Sequence, residues 1–171
     1  PDLVPHMCLA LVGTGSECLG FDDTISEDHD FTKRCQLFLP ADTYTANKDR
    51  LQSYFKNYAY GTVQIESISD FYKRYTLYPE GPQCEKEFRR VPQDLLCTAT
   101  NGEVFLDNFG SFTHIRQRLL AYYPEDIRLR KIAYELNQLA QSGQYNLPRM
   151  LQRGDSIAAS LALHQFIHHY M

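Results

Sequence analysis

The chain has 171 residues, a net charge of −4 and a hydrophobic fraction of 43%, which suits one ordinary domain or a small α/β core with a helical companion and excludes a disordered chain. The acidic balance argues against a broad phosphate-binding surface. Bulk nucleic acid is therefore not an expected partner, although a single nucleotide needs no basic face.

Residues 7–12 form a continuous apolar run of strand length, which predicts a buried strand covered on both faces. It delivers a turn at Gly15 and Ser16, where free backbone N–H groups favour bound phosphate. Residues 17–20 predict a short helical turn and residues 21–26 a loop, in which Asp22 and Asp23 read as solvated side chains or, alternatively, as additional ligands. Twelve residues after Ser16 comes the triplet Asp28, His29, Asp30. On a strand side chains alternate between faces, so Asp28 and Asp30 share one surface and His29 the other. Two adjacent carboxylates ionise cheaply only with a counter-ion, and a hard divalent cation is the usual one.

Residues 28–39 continue as a strand ending at Pro40, with Lys33 or Arg34 placed either to reach a triphosphate or to stand as edge charges. Asp42 or Thr43 caps a helix through about Tyr58, whose stripe of Leu51, Tyr54, Phe55 and Tyr58 is expected to pack in the core. Residues 61–67 alternate as a third strand, Val63 and Ile65 inward, Gln64 and Glu66 outward. A strand beside the Asp pair would bring Glu66 to it as a third carboxylate; the other reading is an ordinary exposed Glu, with Asp70 in reserve. Ser67 or Ser69 caps a short helix carrying Phe71, Tyr72 and Tyr75.

Residues 77–90 are rich in Pro, Gly and charge and predict a loop or a change of domain. A short helix over 93–98 precedes the Asn101-Gly102 turn and a strand at 103–105. From Phe112 the chain reads as helical: one helix to Tyr122, a second through Leu136 and Ala140 broken at Ser142-Gly143, a third opened by Asn146, and a fourth capped by Asp155 or Ser156. The predicted fold is α+β, a small mixed sheet with helices over 1–110 followed by an all-helical half over 111–171. The apolar stripe at Ala159, Leu163, Phe166, Ile167 and Tyr170 calls for cover from a missing C-terminal segment or a homodimer partner. Pro1 opens the chain without Met and Met171 closes it inside an amphipathic pattern, which suggests a fragment of a longer protein.

An apolar strand, Gly-Ser, a spacer and then Asp-x-Asp resembles the signature of the nucleotidyltransferase superfamily of the DNA polymerase beta type, matched here at Gly15, Ser16, Asp28 and Asp30. The longer wording GSECLGFDD, SEDHDF, TNGEVF and AQSGQYNLPR is similar to bacterial proteins carrying a domain of unknown function with a nucleotidyltransferase-like core. The resemblance implies a nucleotidyltransferase core in which Asp28, Asp30 and a third acid, Glu66, hold Mg²⁺ (or Mn²⁺), while Gly15 and Ser16 hold the phosphates of a nucleoside triphosphate. It also suggests that Lys131, Tyr145, Asn146 and Arg149 contact nucleotide or acceptor; surface cations beside a packed Tyr are the plainer reading. The acceptor is unidentified, and a small molecule or a protein fits the charge better than a long nucleic acid. The alternative is a catalytically silent, antitoxin-like module that binds a nucleotide or a partner protein.

The five cysteines are scattered with no zinc-ligand spacing, which predicts buried reduced thiols in a cytoplasmic protein. His164 and His168 share a helix face but have no acidic or sulfur partner for zinc. No apolar run approaches the roughly 18 residues of a membrane span.

Overall fold

The computed structural model describes residues 2–21, 23, 33–56 and 58–171. Asp28, His29 and Asp30 lie outside the described residues. The chain has an α+β fold that divides into two compact units, Pro1–Tyr122 and Tyr123–Met171. The division falls after Tyr122, whereas the sequence reading puts it at 110/111; the helix that follows Gly110 belongs to the first unit.

The first unit is built on four strands, β1 (Cys8–Leu11), β2 (Arg34–Leu39), β3 (Thr62–Ser67) and β4 (Glu103–Asp107), in the order β3-β2-β1-β4. β1 runs antiparallel to both β2 and β4, while β2 and β3 are parallel, which requires the long crossover supplied by α1 (Ala41–Phe55). The period of two in β2 splits its apolar residues between the two faces. Leu37 and Leu39 join Leu51 of α1, Val63, Ile65, Leu9 and Leu3 in one cluster. Phe38, fully buried on the opposite face, packs against Phe71 and Phe112 with ring centroids 5.1 and 4.6 Å apart. Those rings come from α2 (Ile68–Thr76) and α5 (Ser111–Leu120), and Tyr72 of α2 ties the two helices by donating its hydroxyl to the Phe112 carbonyl at 3.0 Å. A short helix, α3 (Glu85–Phe88), interrupts the segment 77–90 expected to be loop, and α4 (Gln93–Thr98) is the short helix expected over 93–98.

Several local readings need correction. α1 starts at Ala41 with Pro40 at its N-cap and no side-chain cap, because the fixed φ of Pro40 already sets the entry. Of its expected core stripe Leu51 is buried, but Tyr54 is 79% exposed, and Tyr58, which lies beyond the end of the helix at Phe55, is 50% exposed. Ser67 caps α2 as expected, accepting from the Asp70 amide at 3.0 Å. Not every thiol is buried: Cys84 and Cys97 are exposed, whereas burial pushes Cys8 up to about 12 and raises Cys18 and Cys35.

The second unit is helical. α6 (Glu125–Leu139) does not break at Ser142-Gly143 but passes through a π-helix (Ala140–Asn146) into α7 (Leu147–Gln152), and α8 (Ser156–Tyr170) follows. Ser142 donates its hydroxyl to the Gln138 carbonyl at 2.7 Å, which keeps a poor helix former inside the turn. Gly143 is favoured by packing: a Cβ there would run into the Phe166 ring. Asp155 caps α8 through the Ala158 amide at 2.9 Å, and His169 meets Glu135 of α6 at 2.7 Å. No helix among the described residues is long and apolar enough to cross a membrane.

Candidate functional site

The end of β1 leads into a glycine loop, residues 13–16, whose conformation is fixed by side chains from distant parts of the first unit. Buried Gln36 of β2 accepts from the Val12 amide at 2.7 Å. The Asn101 side chain accepts from the Gly13 amide at 3.0 Å, and the Gly102 amide donates to the Cys18 carbonyl at 2.8 Å. The Asn101-Gly102 turn is thus a brace for the loop as well as the start of β4. Sequence reasoning had only its turn propensity to go on and missed this role.

Gly13 and Gly15 have φ of 95° and 123°, values that side chains disfavour. Gly13 lies against the Tyr75 hydroxyl of α2, where a Cβ would come within 3.1 Å. Gly15 opens a 3₁₀ turn, Ser16–Leu19, in which Ser16 is exposed and Cys18 buried. Above this turn sits Arg34, the first residue of β2. Its Nε donates to the Glu17 carboxylate at 2.6 Å and its Nη2 donates to the Thr14 carbonyl and to Cys18 Sγ, the latter at 3.6 Å. Glu17 and Arg34 are largely covered, their side chains 28% and 20% exposed, so the pair is better shielded than a surface ion pair.

The structure therefore assembles Gly15 and Ser16 with Arg34 and Glu17, while Asp28 and Asp30 lie outside the described residues. Glu66 is placed elsewhere. It stands opposite Phe38, four residues along the ladder from the Arg34–Thr62 pair, roughly 13 Å toward the far end of the sheet. On that face of β3 the positions nearer the loop are Thr62 and Gln64, neither of them an acid. The Glu66 carboxylate is paired with Arg74 of α2 instead. Among the described residues no group of three His, Cys, Asp or Glu side chains could hold a metal ion. Lys131 and Tyr145 both belong to the helical unit: the Lys131 ammonium lies 4.8 Å from the Tyr123 ring centroid, and Tyr145, half exposed, carries the Arg149 guanidinium at 5.8 Å.

Burial raises the pKa of Glu66 above its ordinary 4.5, and Arg74 only partly offsets it. A carboxyl whose folded pKa is raised contributes stability that is complete below its unfolded value and is lost as pH climbs through the folded value. Glu66→Gln, neutral at every pH, is expected to raise the melting temperature by up to about 2 °C at pH 7 and to leave it unchanged in acid below 4.5. Thermal melts at the two pH values check this. A Gln variant less stable than wild type at pH 7 would mean that the Arg74 pair outweighs burial.

The family described as Domain of unknown function (DUF4037) matches residues 88–171, just under half of the chain. The matched span includes β4, α5 and the helical unit but not the glycine loop or the Asp28-Asp30 triplet. No curated protein and no solved structure matches the chain.

Proposed function

We propose that this chain binds a nucleoside triphosphate together with a divalent metal and transfers the nucleotidyl group to a small-molecule or protein acceptor. The observation that carries the reading is the braced glycine loop at the end of β1, held against the first residue of the strand that follows Asp28 and Asp30 in sequence. In this reading Gly15 and Ser16 contact the phosphates, and the acceptor oxygen bonds to the α-phosphorus as the bond to pyrophosphate breaks. Asp28 and Asp30 are hard oxygen donors suited to Mg²⁺ or Mn²⁺, and would hold it; such an ion supplies charge neutralisation on the phosphates and a lower pKa for the acceptor hydroxyl. Glu66 is left out of the metal set because of its register in β3. Five free thiols accord with a reducing compartment, and we place the protein in the cytoplasm.

One second reading rests on the pairing of Glu66 with Arg74 instead of with the loop, a nucleotidyltransferase-like module that binds the nucleotide without turnover. Calorimetric titration of the four nucleoside triphosphates, with and without Mg²⁺, tests what the two readings share. Wild type is expected to bind one of them in a metal-dependent way, and Asp28→Asn/Asp30→Asn to lose at least about tenfold in affinity. A folded wild type that binds none of the four would end both readings. Pyrophosphate release by the bound complex in the presence of an acceptor separates the transferase from the silent module.

A further inference from the structure

The Glu17 carboxylate lies against the outer surface of the loop at Gly15. A Cβ built on Gly15 would fall on the Glu17 carboxylate, 2.6 Å from its Cδ, so the carboxylate lies directly over the bare Cα of Gly15. The same carboxylate takes the Nε proton of Arg34 at 2.6 Å, while the other arm of the guanidinium straddles the loop to Thr14 and Cys18. A guanidinium binds carboxylate and phosphate oxygens with the same planar donor geometry, and a phosphate carries more charge.

We propose that Arg34 is the phosphate-binding side chain of the loop and that Glu17 is its internal occupant, a carboxylate standing in for a phosphate group until a polyphosphate displaces it. This rests on the nucleotide-binding reading of the loop and adds the residue that grips the phosphate and the one that regulates access to it. No bond is made or broken: one oxyanion replaces another on the same guanidinium, and the Glu17 side chain moves toward solvent. The competing role for the pair, pinning the loop in shape, makes the opposite prediction. If Glu17 is an occupant, neutralising it tightens anion binding; if it is a pin, neutralising it loosens the loop and weakens binding.

The test is calorimetric titration of magnesium-free inorganic tripolyphosphate into the full chain as wild type, Glu17→Gln, Arg34→Gln and the double variant. Glu17→Gln is expected to bind about tenfold more tightly than wild type. That gain is expected to vanish in the Arg34→Gln background, because it depends on freeing the guanidinium. A gain that survives in that background would reflect net charge alone and overturn the proposal, as would equal or weaker binding by Glu17→Gln. Glu17→Ala and Arg34→Lys repeat the cycle should either glutamine variant fail to give a native melting transition. Metal-dependent nucleotide binding by wild type without a gain in Glu17→Gln would sink this inference alone. Failure of folded wild type and Glu17→Gln to bind either tripolyphosphate or nucleotide would sink the nucleotide reading with it.

Discussion

Phe38→Ala is expected to cost the first unit about 3–5 kcal/mol, most of the stability of a marginal domain. Phe38 is fully buried and stands where the two covering helices meet the sheet. Its ring lies 5.1 Å from Phe71 in an edge-on arrangement and 4.6 Å from Phe112. Phe71 in turn contacts Tyr72 and Tyr75, and Tyr72 reaches the backbone of α5. Removing the ring takes away its transfer energy and leaves a cavity walled by other fixed rings, which cannot collapse cheaply. Urea unfolding followed by circular dichroism measures the loss. A cost below about 1 kcal/mol would mean that the helices re-pack freely and that this cluster does not set their position.

Gly102→Ala is expected to cost about 2–4 kcal/mol and to weaken ligand binding at the loop as well. Gly102 has φ of 72°, and a Cβ there would run into the Leu11 carbonyl and come 2.9 Å from the Val12 Cα. Both obstacles are backbone, so neither can swing aside. Relief requires β4 to move from the end of β1, which withdraws the Asn101 side chain from Gly13 and the Gly102 amide from Cys18. Gly110→Ala provides the comparison. Its φ is 81°, but nothing lies within 4 Å of the added Cβ, so it carries the backbone term without the collision. If Gly102→Ala is no more destabilising than Gly110→Ala, the close approach of β4 to the loop is not a constraint.

Several elements and caps read from local pattern agree with the fold, although the side-chain cap expected for α1 does not. The apolar run before the glycines is β1, the alternation at Val63 and Ile65 is β3, and Ser67 and Asp155 cap the helices they precede. What local pattern could not supply is register. Glu66 shares a face with the positions nearer the loop, as alternation requires, yet parallel pairing with β2 sets it opposite Phe38 at the other end of the ladder. Only the pairing partner fixes that distance. The brace from Asn101 was hidden for the same reason, since 88 residues separate it from Gly13. Ser142-Gly143 misled in the opposite direction: a pair that ends helices by propensity is held inside a π-helix by a back-bonded hydroxyl and by the Phe166 ring that needs the missing Cβ. Arg34 was legible as a cation after the acids, but its grip on Glu17 and Thr14 emerges only when β1 and β2 lie side by side.

In the proposed reading residues 13–20 form the phosphate seat. Hydrogen exchange of the full chain, with and without a saturating Mg²⁺–nucleoside triphosphate, tests it most directly, because amides that contact a ligand or are ordered by it exchange more slowly. Exchange is expected to slow across residues 13–20 on ligand addition, and to slow less in Asp28→Asn/Asp30→Asn at the same nucleotide concentration. Saturation of wild type with exchange at 13–20 unchanged, or with protection confined to the helical unit, would contradict it.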